Sequence, residues 1–469
     1  MGERAKGWQW AALYLAVTVF VRWLTFFKTS IDHDESTYLI IADQWLGGHL
    51  PFVDFMDVKP IGIYILFAGA LKLFGSSILA VRLAACLAIA GTALLVRQIL
   101  RNLKQAEVVS AIGGLIYILC ISLHQWTWAS NTELFFNFFT AAALAQFTSK
   151  DQRSGFFLAG FLLGLAFIIK YHVIFDFAAF GCAFLLSSRS ATIVKIKGIF
   201  FSCLGCMLPF IVWIAIYFLM GYGDELKEVI INIPSRYSTS LSLLKRLSFF
   251  GEFYLVYLPV SALFFYTVYR RSRTPGRNFV RWLVILWPTF VWLAILLTGK
   301  PYFHYYIQQI LPLCIIASLG LGAFLEYLER HQRLSKVVLA LFVALFLAPP
   351  LLQYQALHTR QDVGLAASDY LNAHLQPGED IFAAESHIVY FLCNRAPLTK
   401  YVHSSILSKP DLIEAFGLDR AHELGQIFSQ EPRYCLARAV SDDPLLARFL
   451  EEYVEVERYR DNVILWERR

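Results

Sequence analysis

Charged residues are scarce in this 469-residue chain, where Asp, Glu, Lys and Arg together make up only 16% of the sequence. Soluble domains usually contain about 25% charged residues, so this composition excludes an ordinary soluble protein. Hydrophobic residues make up 57% of the chain, and the mean hydropathy is +0.54. Apolar runs such as 10–27 and 196–220 can cross a hydrocarbon core of about 30 Å as helices. We therefore expect a polytopic α-helical membrane protein.

Processing and redox signals are equally sparse. The first apolar run begins at Trp8 and lacks a small-residue cleavage site, so we expect a retained helix instead of a signal peptide. All but two of the eight cysteines lie in apolar runs and should behave as small hydrophobic residues. This position also argues against a redox role for the Cys203–Cys206 pair. Cys393 and Cys435 lie elsewhere, and we consider a disulfide between them, as an oxidising compartment would allow.

The distribution of lysine and arginine predicts the topology, because cytoplasmic loops of membrane proteins are enriched in both. Basic residues cluster near Arg97, Lys150 and Arg189 and are densest over 270–281. With these loops inside, the acidic first loop lies on the non-cytoplasmic side. The pattern predicts about 11 crossings (11–13), with the amino terminus inside, at residues 8–27, 76–96, 106–123, 131–148, 155–169, 172–187, 197–220, 249–269, 280–298, 303–325 and 336–352.

One apolar stretch, residues 61–75, does not fit as a crossing. It is short, contains Lys72, and would place the basic cluster near Arg97 on the outer side. We interpret it as a juxtamembrane or half-inserted helix, which is tolerated where protein or water covers its ends. The chain is thus predicted to form a transmembrane domain over 1–354 and a small non-cytoplasmic α/β domain over 355–469, where helical stretches alternate with short apolar runs.

The first outer loop, residues 28–60, carries most of the chemistry. Its carboxylates are those of Asp32, Asp34, Glu35, Asp43, Asp54 and Asp57, and Lys59 lies at its end. Charges beside a bilayer are costly and are retained mainly where they act. A carboxylate there can take a proton from a hydroxyl, once burial and neighbouring charges adjust its pKa. A lysine beside it can bind a phosphate. The loop therefore predicts a base next to a lipid-linked phosphate.

More candidates lie at other outer helix ends, namely Glu133, Lys170, His172, Lys300, Tyr302 and His304. Simpler interpretations also fit. Asp34, Glu35 and Glu133 would suit the first turns of helices, where negative charge is favoured. Lys300 and His304 would suit an interfacial aromatic belt. Asp176, within an apolar run, is expected to pair with a lysine or to face a cavity. A metal site at 32–34 would need adjacent residues to converge on one ion, which is rare.

Several motifs together resemble the C-type glycosyltransferases, and in particular the group of protein mannosyltransferases and aminoarabinose transferases. The matching motifs are DESTY at 34–38, PFVDF at 51–55 with KP at 59–60, NTE at 131–133, IK at 169–170 and GKPYFHY at 299–305. The resemblance covers most of 8–325, and the last domain resembles the soluble tail of the bacterial branch. Thr37 departs from the arginine of aminoarabinose transferases, which argues against an aminoarabinose donor.

The resemblance implies a reaction and a role for each matched residue. An acceptor hydroxyl would attack the anomeric carbon of a polyprenyl-phosphate sugar with inversion, and polyprenyl phosphate would leave. Asp34 would act as general base, with Glu35 positioning it or the acceptor. The donor phosphate would be bound by Lys59, Lys170, Lys300 and His304. Sugar or acceptor would be positioned by Tyr38, Asp54, Asp57, Glu133 and Tyr302. No cofactor and no metal are expected, because a monophosphate-linked donor needs no divalent ion to activate a diphosphate.

The resemblance also implies a location and a range of partners. We expect a multi-pass protein of the inner (plasma) membrane with its active site on the periplasmic side. The acceptor could be lipid A or core oligosaccharide, another glycan or a protein hydroxyl; no nucleic acid is expected. A transporter or flippase of an anionic lipid-linked substrate is the alternative, but it would show repeat symmetry and charges through the bundle centre. A noncatalytic binding or assembly subunit is a third hypothesis.

Overall fold

The computed structural model describes residues 7–149, 155–187, 191–237, 241–273, 278–298, 302–439 and 443–469. The chain forms two compact units. The first comprises Met1–Leu24, Leu83–Trp213 and Thr239–Gln353. The second comprises Thr25–Arg82, Ile214–Ser238 and Tyr354–Arg469, so the first loop and the C-terminal residues belong to one unit.

Helices dominate the fold. In chain order, and within the described ranges, they are α1 Gly7–Arg22, α2 His33–Leu46, α3 Gly62–Phe74, α4 Ile78–Asn102, α5 Glu107–Leu123, α6 Thr132–Thr148, α7 Gly155–Phe167, α8 Ile174–Leu186, α9 Thr192–Leu219, α10 Gly223–Lys227, α11 Ile233–Arg236, α12 Leu243–Val256, α13 Leu258–Arg273, α14 Phe279–Thr298, α15 Ile307–Glu329, α16 Gln332–Gln353, α17 Val363–His374, α18 Val389–Leu392, α19 Pro410–Phe416, α20 Arg420–Phe428 and α21 Pro444–Phe449. The predicted helical membrane class is confirmed.

Six of the described helical segments are long and apolar enough to cross a membrane, namely Gly7–Phe27, Ile78–Asn102, Thr192–Leu219, Phe279–Thr298, Phe303–Glu329 and Ser335–His358. The helices α12 and α13 would make a seventh as one broken span, because they are bent by 103° at their junction. The crossing predicted at 249–269 includes this junction and stays a prediction. Four shorter apolar helices, Gly62–Phe74, Glu107–Leu123, Gly155–Phe167 and Tyr171–Leu186, accompany them, and the count of 11 stays a prediction.

The first unit contains two buried polar groups whose partners explain their presence. Arg22, at the end of α1, donates to the carbonyls of Thr127 at 2.8 Å and Trp128 at 2.7 Å. Asp176 accepts from Trp287 Nε1 and from Gln308 Nε2, both at 2.6 Å. Among the described residues Asp176 thus has uncharged partners instead of the lysine expected in one alternative, and the other alternative, that it faces a cavity, stays a prediction. In both cases uncharged hydrogen-bonding partners satisfy a charged group that burial would otherwise penalise.

Glycines allow α7 and α9 to pack closely in the first unit. A Cβ at Gly160 would collide with the carbonyl oxygen of Ser202, and one at Gly164 would collide with that of Cys206. On the facing helix, a Cβ at Gly205 would meet the carbonyl oxygen of Phe157. Small residues spaced four apart permit such backbone contact between membrane helices.

The C-terminal part of the second unit contains the described sheet. Its strands are β1 Ile381–Ala383, β2 Tyr434–Arg438, β3 Tyr453–Arg458 and β4 Val463–Arg468. They are ordered β1-β2-β4-β3, with a parallel β1–β2 pair and antiparallel pairs elsewhere. The predicted small α/β region is confirmed. Cys393 and Cys435 are both buried free thiols, so the disulfide considered between them is wrong.

The first loop and the C-terminal residues are joined within the second unit by hydrogen bonds. Thr29 donates to the Asp362 carboxylate through its backbone N–H at 2.8 Å and through its hydroxyl at 2.5 Å. The backbone N–H of Met56 donates to the Lys400 carbonyl at 2.7 Å. These contacts place C-terminal side chains beside the start of α2.

Candidate active site

The start of α2 determines which carboxylates of the DESTY motif face inward. Asp32, with φ −139° and ψ 143°, is the N-cap residue, and its carboxylate accepts from the backbone N–H of Asp34 at 3.0 Å. Because Asp32 satisfies this helix end, Asp34 and Glu35 are not required as caps. Both are buried in the first turn, where the helix dipole also favours their negative charge.

Asp34 lies at the centre of a polar cluster in the second unit. Its Oδ2 accepts from Lys59 Nζ at 3.0 Å and from the Tyr38 hydroxyl at 3.1 Å. Its Oδ1 lies 3.3 Å from Nε2 of His403. The Lys59 ammonium is also 5.4 Å from the centre of the Tyr38 ring. The structure thus joins Asp34, Lys59 and Tyr38, three residues that the sequence assigned to the site, and adds a histidine that the sequence did not suggest.

His403 comes from the C-terminal residues and has a defined tautomer. Its Nδ1 accepts from the backbone N–H of Ser405 at 3.1 Å, at the start of a short 3₁₀ turn. A ring nitrogen that accepts carries no proton, so the proton of the neutral ring is on Nε2. The proton is therefore on the ring nitrogen that lies 3.3 Å from Oδ1 of Asp34.

Two further histidine rings accompany it. The centres of the His33, His387 and His403 rings are 5.5–6.0 Å apart. Nε2 of His387 is 2.9 Å from the Thr37 hydroxyl, which itself donates to the His33 carbonyl at 3.1 Å. Burial, together with the two neighbouring histidines, holds the pKa of His387 well below its usual value. Burial also lowers the pKa of His33.

Glu35 forms a separate ion pair in the same unit. Its carboxylate accepts from Nε and Nη2 of Arg82, at 3.2 and 2.8 Å. The two side chains are only 3% and 2% exposed. Arg82 also donates to the carbonyls of Thr25 and Lys28. This arrangement favours a structural role for Glu35, which links the first loop to α4, over the positioning role that the resemblance implied.

The two remaining loop carboxylates have local partners. Asp57 is buried and accepts from the Tyr64 hydroxyl and from the Val58 N–H, both at 2.7 Å. Asp54 has a side chain that is 43% exposed and accepts from the Leu50 N–H at 2.6 Å. Asp57 therefore attaches the loop to α3, and Asp54 closes a turn.

The first unit holds a second cluster of predicted residues. Glu133, in the first turn of α6, and Lys170, after α7, form a buried ion pair. The Lys170 ammonium lies 3.9 Å from the centre of the Tyr305 ring, as expected for a cation–π contact. The structure thus joins Glu133 and Lys170, two residues that the sequence assigned to the site.

Aromatic rings extend this second cluster. Tyr305 is in ring contact with His304 at 4.7 Å, with Tyr302 at 5.8 Å and with His172 at 5.1 Å between ring centres. Tyr302 and His304 stack on each other at 5.7 Å. Lys300 lies outside the described residues, so its predicted role stays a prediction.

The described part of the chain contains no group of three or more His, Cys, Asp or Glu side chains arranged to hold a metal ion. Asp32, one member of the metal site considered at 32–34, is instead used as the cap of α2. Arg82 and Arg22 were missed by the sequence reasoning, although an arginine inside an apolar run is a costly group that signals a buried partner. His403 is not part of any motif, and no sequence signal pointed to it.

Comparison with known proteins identifies the fold. Residues 58–216 match the family described as dolichyl-phosphate-mannose-protein mannosyltransferase. The structure of ArnT from Cupriavidus metallidurans bound to undecaprenyl phosphate is similar, with a TM-score of 0.72 and 14% identity, over 99% of this chain and 98% of that one. The structure of the Archaeoglobus fulgidus oligosaccharyltransferase is also similar, with a TM-score of 0.56 and 12% identity, over 99% of this chain and 74% of that one.

The chain therefore has the C-type glycosyltransferase fold, and the resemblance noted from its motifs is confirmed at the level of the fold. The structure of ArnT without ligand also has a similar fold, with a TM-score of 0.69 and 14% identity over 98% of this chain and 97% of that one. No curated protein matches the chain by sequence.

Proposed function

We propose that this protein is an inverting glycosyltransferase that moves a sugar from a polyprenyl-phosphate donor to a hydroxyl of an envelope acceptor, at the outer face of the membrane. The observation that carries the proposal is the buried Asp34 carboxylate, which Lys59 contacts at 3.0 Å. This pair combines a base with a cation for the leaving phosphate. The similar ArnT structure contains undecaprenyl phosphate, which supports a lipid phosphate as the donor.

The proposed reaction is a single displacement. The acceptor oxygen forms a bond to the anomeric carbon while the bond from that carbon to the phosphate oxygen breaks, which inverts the configuration. The acceptor proton goes to Asp34, and the bonding electron pair leaves with polyprenyl phosphate. Lys59 stabilises the charge that develops on this leaving group, which is typically a large electrostatic contribution to catalysis.

The Asp34–Lys59 contact has two consequences in this mechanism. A nearby ammonium favours the ionised carboxylate, so Asp34 is available as a base. When a phosphate binds, the three N–H donors of Lys59 can be shared between the carboxylate and the phosphate. The donor-binding roles expected for Lys170 and His304, and the positioning roles expected for Glu133 and Tyr302, stay proposals; within the first unit Lys170 is paired with Glu133, and Tyr302 stacks on His304.

Mass spectrometry of envelope glycolipids and glycoproteins from a strain lacking the chain would identify the acceptor. Turnover is then measured with the purified protein, envelope from that strain, and a panel of undecaprenyl phosphates carrying mannose, glucose, galactose or aminoarabinose. A glycosyltransferase adds one sugar mass to one envelope component. A transporter, or a noncatalytic subunit, adds none in this purified system.

Two variants test the proposed roles. Asp34→Asn should lower turnover by roughly 10²–10⁴-fold, because it removes the base, while undecaprenyl phosphate binding changes little. Lys59→Ala should weaken undecaprenyl phosphate binding as well as turnover, because its charge acts in both the ground state and the transition state. Asp43→Asn, on the same helix but facing Ser76, is the control. Native turnover of a folded Asp34→Asn protein would show that Asp34 is not the base.

A further inference from the structure

The two oxygens of the Asp34 carboxylate have different environments. Oδ2 receives hydrogen bonds from Lys59 and from Tyr38, which lies one turn later on α2. Oδ1 faces the imidazole of His403. In the proposed reaction Lys59 also interacts with the donor phosphate, so its hydrogen bond to Oδ2 changes during turnover. His403 comes from another part of the chain and is assigned no role in binding the phosphate.

The backbone around His403 is held in place on both sides. The Lys400 carbonyl accepts from the Met56 N–H at 2.7 Å. The Ser404 hydroxyl lies 3.4 Å from Nδ1 of His33. The His403 side chain is 15% exposed, so water competes weakly for its ring. These contacts fix the ring relative to the first turn of α2, within the same compact unit.

The hydrogen bonds of the ring also decide what His403 can do. Its Nδ1 accepts from Ser405, so Nε2 bears the proton, and Nε2 lies 3.3 Å from Oδ1 of Asp34. A ring in this tautomer cannot take a proton from Asp34 at Nε2. Its chemistry is therefore that of a fixed donor, which orients a carboxylate and favours its ionised form. This excludes a proton relay through His403 while the Ser405 bond is intact.

We propose that His403 is a positioning residue that holds the Asp34 carboxylate in its reactive orientation, so that residues after 354 complete the active site. This inference rests on the proposed role of Asp34 as the base. Nε2 lies within donor range of Oδ1, and hydrogen bonds to charged groups are strong enough that removing this donor should lower kcat by about 10- to 100-fold. The donor KM should change little, since His403 does not contact the phosphate site at Lys59 in this scheme.

Two substitutions separate positioning from local structure. In His403→Asn the side-chain oxygen can still accept from the Ser405 N–H, because asparagine is a good cap, but the amide is too short to reach Asp34. In His403→Gln the longer amide can place an N–H near the original Nε2. Under the proposal, His403→Asn loses turnover and His403→Gln recovers most of it. His422→Asn, at an exposed position on α20 in the same unit, is the matched control.

Kinetics use the undecaprenyl-phosphate sugar that supports turnover in the panel, and binding uses undecaprenyl phosphate itself. In the Asp34→Asn background, His403→Asn should lower kcat little further, because no carboxylate remains to be positioned. If the two residues acted independently, the two fold-losses in kcat would instead multiply. Native kcat for His403→Asn, or a loss that His403→Gln fails to recover, would overturn the proposal. If Asp34→Asn itself retains native turnover, the proposed function fails instead, so the two failures are distinguishable.

Discussion

Replacement of Glu35 should unfold the protein before it affects chemistry, because the partner of Glu35 is a buried arginine. Both oxygens of the carboxylate accept from Arg82, and the two side chains are 3% and 2% exposed. Glu35→Gln keeps the shape but leaves the guanidinium charge without its counter-charge. Removing one partner of a buried ion pair typically costs about 3–5 kcal/mol. We expect a loss of that size in the free energy of unfolding.

The double variant tests the pairwise origin of this loss. Each single change leaves a charged or polar partner behind, so Glu35→Met with Arg82→Met should cost less than the sum of the two single changes. It should not recover native stability, since the carbonyls of Thr25 and Lys28 lose the donor that Arg82 provides. An unsatisfied buried carbonyl costs about 1–3 kcal/mol.

Urea unfolding of the full chain in lipid nanodiscs, followed by tryptophan fluorescence, measures these differences. The control is Glu455→Gln, whose partner Arg458 forms an exposed pair in the same unit. Exposed pairs contribute about 0–1 kcal/mol, so the control should unfold close to the wild type. If Glu35→Gln keeps native stability but loses turnover, then Glu35 acts in the chemistry and our structural reasoning is wrong.

Two further predictions follow from packing and protonation. Folding lowers the pKa of His387 well below its usual value of 6.5. Below about pH 6.5 the unfolded chain therefore binds a proton at this residue that the folded protein does not bind, so the free energy of unfolding should decrease as pH falls through about 6.5. His387→Gln should reduce this loss, measured as melting temperature at pH 7.5 and 5.5, because it removes a titrating group beside His33, His403 and Asp34; an unchanged slope would contradict it. Gly164→Ala should destabilise by about 1–3 kcal/mol, because its methyl would collide with the Cys206 carbonyl. Gly322→Ala, where a Cβ would meet only Val109 at 3.7 Å, is the control, and equal melting temperatures would refute the packing argument.

Some contacts of the candidate site could be predicted because they are local or motif-based. Asp34 and Tyr38 are four residues apart, so one helix places them on the same face. Lys59 lies in the same loop and contacts Asp34 at 3.0 Å, while its predicted role in binding phosphate stays a prediction. Glu133 and Lys170 were singled out at predicted helix ends, and the structure pairs them.

Composition alone determined the class of this protein, because 57% hydrophobic residues in long runs are incompatible with an ordinary soluble fold. Only the tertiary structure decided that Glu35 pairs with Arg82 and that Cys393 and Cys435 stay unpaired. It also brought His403 to Asp34. The reason is physical: periodicity and helix caps depend on neighbours in sequence, whereas these partners meet only after distant segments of the chain have packed.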